Sequence, residues 1–313
     1  MKAAQIHEYG DSDTLITSTN VAEPTIAPGK VLVTVKVAAL NPIDWKIQAG
    51  YLQKMLPLEL PVTLGADFAG IVKEVGEGVE GFQPGDAVYG QASVMGGASG
   101  ALAEVALTSA KSVAQKPADI SFDVAAASVL TGISAFVAIQ EHLKVSAGQK
   151  VLIHGGSGGI GSMAIQLAKK AGAAVATTVS AGGEAFVKEL GADVVITYTE
   201  DAFEDLLEGY DAVFDTVGGD TYAKSFQVLK KGGAITSMVE QPNEALAEKY
   251  GVTATVESSF ATPERLEKLG RLLSDGSLTV HIDRSFSLEE ANEAIDYLKN
   301  GHPKGKVIVT VEE

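Results

Sequence analysis

A chain of 313 residues with 24 basic and 40 acidic side chains, a formal charge of -16, is long enough for two domains and too acidic to offer nucleic acid or an anionic membrane a cationic footprint. The absence of cysteine excludes disulfides, thiol nucleophiles and thiolate zinc sites; the five histidines (His7, His142, His154, His281 and His302) are scattered, so no metal site is expected. The opening MKAAQIHEYG lacks an apolar signal core and no apolar run reaches the ~18 residues of a membrane span, so the expectation is a cytoplasmic protein without a membrane partner.

The first third reads as β-rich. VLVTVKVAAL from Val31 alternates as a half-buried strand does, and FAGIVKEVG, DAVYG and ALAEVALTS follow as short strands between glycine and proline turns. From Asp123 the pattern changes: DVAAASVLTGISAFVAIQEHL is helical and LKVSAGQK is a loop. Strands then alternate with helices through VLIHG, AVATTVS, DVVITY, YDAVFDTVGG, GAITSMV and VTATVESS, which predicts a parallel sheet with crossover helices and an α/β fold class. A helix from Pro263 to Leu273 follows the cap candidate Thr262, and the tail pairs a helix, SLEEANEAIDYLKNG, with a strand, GKVIVTVEE. There is no internal repeat.

The stretch VLIHGGSGGIGSMAIQLAKKAGAAV from Val151 carries the chemistry, because it reads as strand, glycine turn, helix and second strand. Gly156, Gly158 and Gly161 fit the GxGxxG spacing of a dinucleotide-binding turn. The first glycine permits the tight turn, the second lets backbone approach a pyrophosphate, and the third lets helix close on strand. Ser157, Gly159 and Ile160 complete the turn, where the first amides of the helix meet phosphate charge. A purely structural βα turn is the competing reading.

With these residues stand NPIDWKIQAGY from Asn41, LPVTLGADFAGIVKEVG from Leu60, the spaced set Val75, Gly76, Val79, Phe82, Gly85 and Asp86, LTGISAF from Leu130, LGADVVITY from Leu190, YDAVFDTVGG from Tyr210 and HPKGKVIV from His302. Taken together they resemble the zinc-independent medium-chain dehydrogenase/reductases, in particular the quinone oxidoreductase and enone (alkenal) reductase branch. The resemblance implies a GroES-like β-rich catalytic domain over 1–122 and 280–313. An inserted Rossmann domain, a doubly wound parallel sheet, would span 123–279, with cofactor in the cleft between them. Zinc-dependent relatives use cysteine and a GHE stretch as ligands, whereas this chain reads Gly65, Ala66, Asp67. Hydride addition to a conjugated acceptor fits better than metal-assisted alcohol oxidation, because a quinone or enone needs only orientation and a donor for its developing oxyanion.

An NAD site usually places an acid about 20 residues beyond the glycines. No acid occurs between Glu141 and Glu184, and the second strand runs out into Val179, Ser180, Ala181, Gly182 and Gly183, so NADPH is favoured over NADH. Relatives that use NADPH often carry a cation after the serine position, where this loop has glycines. Ser180 and Tyr198 match family positions near the adenosine phosphate; Tyr198 reads equally as a strand-end aromatic. Asn41, before Pro42, lies extended, and it reads either as a ligand-facing amide or as a turn asparagine bonding local backbone.

By resemblance, Asn41, Pro42 and Ile43 approach the nicotinamide, Thr131 lies by its ribose, and Lys46 and Tyr51 line the substrate wall. Catalytic candidates are therefore Asn41, Lys46 and Tyr51, with the proton source open between Tyr51 and solvent. Asp44 and Trp45 read as structural, Trp45 as a buried aromatic. Val217, Met238, Val239 and Ser259 follow Rossmann strands at the carboxyl end, where ligands bind in open α/β sheets. Gly305 and Lys306 belong to the returning tail, where lysine either approaches the cofactor or is an exposed strand-start charge. The partners implied are a small-molecule quinone or enone and a second copy in a homodimer joined through an edge strand such as VTATVESS. Two alternatives stand beside the reductase: a non-catalytic NADPH-binding sensor or interaction protein, and the same chemistry with NADH.

Overall fold

The alternation at Val31 becomes strand Lys30–Ala39, the centre of a seven-stranded sheet in the first of two units. The computed structural model describes residues 1–258 and 260–311. Its first unit comprises Met1–Leu130, Phe260–Asp275 and the residues from Val280 on; the second runs from Thr131 through the last Rossmann strand and includes Gly276–Thr279.

In the first unit the sheet order is Ile282–Ser287, Lys306–Thr310, Lys30–Ala39, Asp67–Val75, Ala87–Gln91 and Val113–Gln115, with Val105–Ser109 also paired to the central strand. A three-stranded sheet of Leu15–Ser18, Ala3–Ile6 and Val62–Thr63 accompanies it. Val31, Val33, Val35, Phe68, Val72, Val307 and Val309 fill one core with Leu288 and with Ala291 and Ile295 of the tail helix. That helix spans Ala291–Asn300 after a single tighter turn, Leu288–Glu290. The helix after Thr262 forms as expected, Pro263–Ser274, with the Thr262 hydroxyl accepting from Arg265 N–H. The sequence reading missed the short strands Ala3–Ile6, Leu15–Ser18 and Val113–Gln115, and also the helix Pro42–Gln48, whose buried Asp44 and Gln48 break the apolar stripe that would have announced it.

The second unit holds six parallel strands: β1 (Lys150–Ile153), β2 (Ala174–Val179), β3 (Val194–Thr197), β4 (Tyr210–Asp215), β5 (Leu229–Ser237) and β6 (Thr253–Val256). Their spatial order is β3-β2-β1-β4-β5-β6, the doubly wound arrangement of the Rossmann fold. The order reverses between β1 and β4, so the carboxyl ends of these neighbours form the switch point at which ligands bind in such sheets. Helix α1 (Gly159–Lys170) follows β1 and buries Met163, Ala164, Leu167 and Ala168.

The helix predicted from Asp123 runs Phe122–Phe136 and continues as a π-helical turn, Val137–His142. These 21 residues are long and apolar enough to cross a bilayer, but most of the segment is buried within the protein, as befits a core helix.

Candidate active site

In the first unit, strand register builds the site. Ile308 pairs with Ala39, Ala39 pairs with Asp67, and Asp67 pairs with Gln91. Continuing the antiparallel register two residues beyond the Ile308 pair sets Lys306 opposite Asn41, and the Leu40 N–H to Val307 O bond of 3.0 Å holds that alignment. Gly305 makes the turn that delivers the lysine: its φ is +78°, and a Cβ there would lie 2.2 Å from His281 O. Asn41 is extended at φ -134°, ψ 155° and caps helix Pro42–Gln48, its N–H donating to Asp44 Oδ2 at 2.8 Å.

Four polar side chains meet there out of water: Asn41 is 1% exposed, Asp44 2%, Asp67 0% and Lys306 3%. Lys306 Nζ donates to Leu40 O and to Asn41 Oδ1, each at 2.5 Å. Asn41 Nδ2 donates to Asp67 Oδ2 at 2.9 Å, which also accepts from Leu130 N–H at 3.0 Å; Gln91 Nε2 donates to Asp67 Oδ1 at 3.0 Å. Lys306 is thus no exposed strand-start charge. The turn reading of Asn41 describes only its main chain, because its amide reaches across the sheet. Sequence reasoning saw Asp67 solely as a position without a metal ligand, and missed Gln91. The one signal available was a lone acid inside the apolar run LGADFAGIV.

Burial pushes the Asp44 carboxyl up to about 7, aided by nearby Asp67 and opposed by the Asn41 N–H, Lys306 and the Gly65 N–H. Burial likewise raises Asp67 and lowers Lys306, while their mutual attraction works against both shifts. An acid raised from 3.8 to about 7 holds its proton more firmly when folded, so stability falls as the pH rises through that window and is flat above it. Asp44→Asn imitates the protonated acid. Its stability relative to the parent is expected to improve by roughly 2–3 kcal/mol between pH 5 and pH 8. Denaturant midpoints at the two pH values check this, and a difference independent of pH would refute it.

Lys46 and Tyr51 gather around Trp45, on and just after the helix that Asn41 caps. Lys46 Nζ stands 5.6 Å from the Trp45 ring centroid, the Tyr51 ring meets it edge-on at 5.7 Å, and Lys299 Nζ is also 5.7 Å away. Trp45 is half-buried rather than the buried aromatic expected, and Tyr51 is 69% exposed. Pro42 is exposed and Ile43 half-buried in the first turn of their helix.

In the second unit the expected cofactor residues converge on the carboxyl ends of the strands. A Cβ on Gly156 would lie 2.0 Å from Thr177 Oγ1, and one on Gly161 would lie 2.2 Å from Gly155 O, so turn and helix need glycine there for their own packing. Gly158 differs. At φ -77° and ψ 171° it caps α1, and a Cβ would meet only Gly155 O, at an ordinary 3.4 Å. Nothing in the protein requires glycine at 158, whereas a ligand seated against the turn would. Ser157 and the amides of Gly159, Ile160 and Gly161 frame that space, and the three amides precede the first intrahelical acceptor.

A Cβ at Gly183 would lie 3.3 Å from the Ser157 Cβ, so the acid-free loop from Ser180 runs beside the turn. Tyr198 N–H bonds Val179 O at 3.1 Å, bringing Tyr198, 54% exposed, next to Ser180. Thr216 Oγ1 donates to His154 O, and Gly155 approaches the Thr216 and Val217 side chains. Buried Asp215 accepts from the N–H groups of Val217 and Gly218 at 3.0 Å each and from Ser237 Oγ at 2.6 Å. Ser237 in turn accepts from Val239 N–H at 3.2 Å, so one carboxylate shapes the ends of both β4 and β5. Val217 and Val239 are left 55% and 46% exposed, apolar surfaces at the ligand end of the sheet, with half-buried Met238 between. Thr131 is buried in the core helix, and Ser259 lies outside the described residues. His154, buried between Thr178 and Ser225, is driven down to about 4 by burial, so its ring is neutral and structural.

Residues 27–118 match the alcohol dehydrogenase GroES-like domain family, and residues 190–309 match a family described as zinc-binding dehydrogenase. The 2-methylene-furan-3-one reductase of Solanum lycopersicum is 38% identical over 320 residues, covering 99% of this chain and 79% of that protein. The chain belongs to the medium-chain dehydrogenase/reductase superfamily, in its quinone oxidoreductase and alkenal/one oxidoreductase branch.

A second member of this branch, the chloroplastic NADPH-dependent alkenal/one oxidoreductase of Arabidopsis thaliana, is 36% identical over the same coverage of 99% and 79%. The Escherichia coli quinone oxidoreductase solved in complex with NADPH superimposes with a TM-score of 0.89 at 28% identity, covering 99% of this chain and 100% of that one. Among the described residues no group of three or more histidine, cysteine, aspartate or glutamate side chains is placed to hold a metal ion.

Proposed function

We propose that this medium-chain dehydrogenase/reductase is an NADPH-dependent, zinc-independent reductase of quinones or α,β-unsaturated carbonyls. The observation that carries the nucleotide is Gly158, a glycine its own fold does not require, at the mouth of a helix whose first amides have no intrahelical acceptor. The turn from Gly156 to Gly161 would hold the pyrophosphate, Ser180 and Tyr198 the adenosine phosphate, and Thr131, Val217, Met238, Val239 and Ser259 the remainder. When bound, NADPH supplies a hydride to an already electrophilic acceptor. The residues of the first unit then have three tasks, to orient that acceptor, to donate to its oxygen as negative charge develops, and to exclude water. Asn41 supplies the donor, Lys46 and Tyr51 flank the acceptor, and the proton that completes the reduction comes from Tyr51 or solvent.

Zinc is left out because the donor set does not fit it. The chain has no cysteine, and Asp67 is already bonded by Asn41, Gln91 and Leu130 beside a buried ammonium. Loss of NADPH absorbance with a panel of quinones and enones tests the reading, and tight nucleotide binding without turnover on any acceptor would sink it. The preference for NADPH rests on the acid-free loop beside the turn. Ser180→Asp is therefore expected to weaken NADPH binding at least tenfold while leaving NADH binding equal or better, a difference of about 1.4 kcal/mol or more in paired titrations. Strand β6 pairs only with β5 among the described strands, and we read its open edge as the seam of a homodimer.

A further inference from the structure

The buried cluster of the first unit fixes a property that the proposed reaction uses but does not explain, the orientation of the Asn41 amide. The two ends of an asparagine side chain are nearly isosteric, and partners such as hydroxyls accept either one. Here each end meets a group with a single role. Lys306 is a pure donor and reaches Oδ1 at 2.5 Å; Asp67, whose two carboxyl oxygens already accept from the Leu130 N–H and from Gln91 Nε2, takes a hydrogen from Nδ2 at 2.9 Å. Turning the amide over would set ammonium against NH2 and carboxylate against C=O in a site closed to water.

Both partners are themselves held, Lys306 by Leu40 O, and Asp67 by Gln91 and the Leu130 N–H. The other charged group facing them is Asp44, which is occupied with the Asn41 N–H. The second hydrogen on Nδ2 is then the amide hydrogen left to present. We propose that Lys306 and Asp67 are positioning residues that lock Asn41 as a one-way hydrogen-bond donor toward the acceptor oxygen. This rests on the reading of Asn41 as an acceptor-side group. It gives Lys306 a role through Asn41 rather than in cofactor contact.

Asn41→Ala is expected to lower kcat about 100- to 1000-fold, as loss of an oxyanion donor does. The paired variant Lys306→Met with Asp67→Asn removes both charges together. It should lower kcat about 10- to 100-fold with the Kd for NADPH unchanged, and adding Asn41→Ala to it should lower kcat no further than Asn41→Ala alone. Losses that multiply would show that the pair acts independently of Asn41 and overturn the proposal. Parental turnover in Asn41→Ala would overturn both this proposal and the acceptor-side reading.

A readout without turnover separates the two. In the nucleotide-free protein the Asn41 side-chain amide protons should give a distinct, slowly exchanging pair in 15N–1H spectra, averaged or fast-exchanging in the paired variant. Equal exchange in both proteins overturns the lock even if the enzyme is active. The expected contrast sustains it even if no tested acceptor is reduced. If the paired variant fails to fold, Asp67→Asn alone, which loses only the obligate acceptor, decides by the same spectra.

Discussion

Gly158→Ala is expected to bind NADPH about 10- to 100-fold more weakly than the parent while unfolding at nearly the same temperature. In the free protein the added methyl group enters open space, 3.4 Å from the Gly155 carbonyl, on a backbone conformation that alanine adopts without strain. Alanine restricts the unfolded chain, a gain of about 0.4–1 kcal/mol, but is the poorer residue at a helix N-cap, a loss of similar size. These terms nearly cancel. A pyrophosphate seated on the turn instead meets a methyl group where it had met backbone, and crowding of that kind costs about 1–3 kcal/mol. Gly161→Ala is the contrasting variant: its Cβ would lie 2.2 Å from Gly155 O, so it should lower the melting temperature itself. Calorimetry and a fluorescence titration of NADPH read both quantities. Parental affinity in Gly158→Ala would mean that the phosphates do not sit on this turn.

Lys306→Met, taken alone, should destabilise the protein by about 3–5 kcal/mol, a large share of the ~5–15 kcal/mol that holds a domain together. It leaves Asp44 and Asp67 buried with no cation in their cluster, and the cost lies in that uncompensated charge more than in the bond itself. The pH dependence gives the cause away. Both carboxyls already sit above their ordinary 3.8, and without the ammonium they rise further. The folded variant therefore binds protons that the unfolded chain has released, and it loses stability as the pH climbs. The deficit against the parent should be larger at pH 8 than at pH 5 in urea unfolding; a deficit that shrinks with rising pH would contradict it.

Much of the second unit was legible in the sequence, because each Rossmann strand is a short apolar run punctuated by glycine or an acid and its order is set by right-handed crossovers. The helix cap at Thr262 and the glycine turn were legible for the same reason: each is a local arrangement whose residues lie within a few positions of one another. The buried polar cluster of the first unit was not. Asn41 meets Lys306 across 265 positions and Asp67 across 26, and periodicity carries no signal over such distances. Lysine is also so seldom buried that an exposed strand-start charge was an equal reading for Lys306. Helix Pro42–Gln48 escaped because the side chains it buries include Asp44 and Gln48, which are polar for the sake of the cap and the neighbouring loop. Only strand register, which no single stretch of sequence encodes, brings these groups together.

The same register sets a timetable for the growing chain. Strand Lys306–Thr310 leaves the ribosome last among the elements described, so Asp44 and Asp67 are made long before their cation exists. Until that strand docks, Asp67 in the growing sheet and Asp44 in the neighbouring helix cannot be sealed from water beside a cation. The six Rossmann strands β1–β6 have by then all been synthesised. A nascent polypeptide is therefore expected to acquire its Rossmann sheet before its buried Asn41–Asp67–Lys306 cluster, with water kept in the unfinished cluster until the lysine arrives.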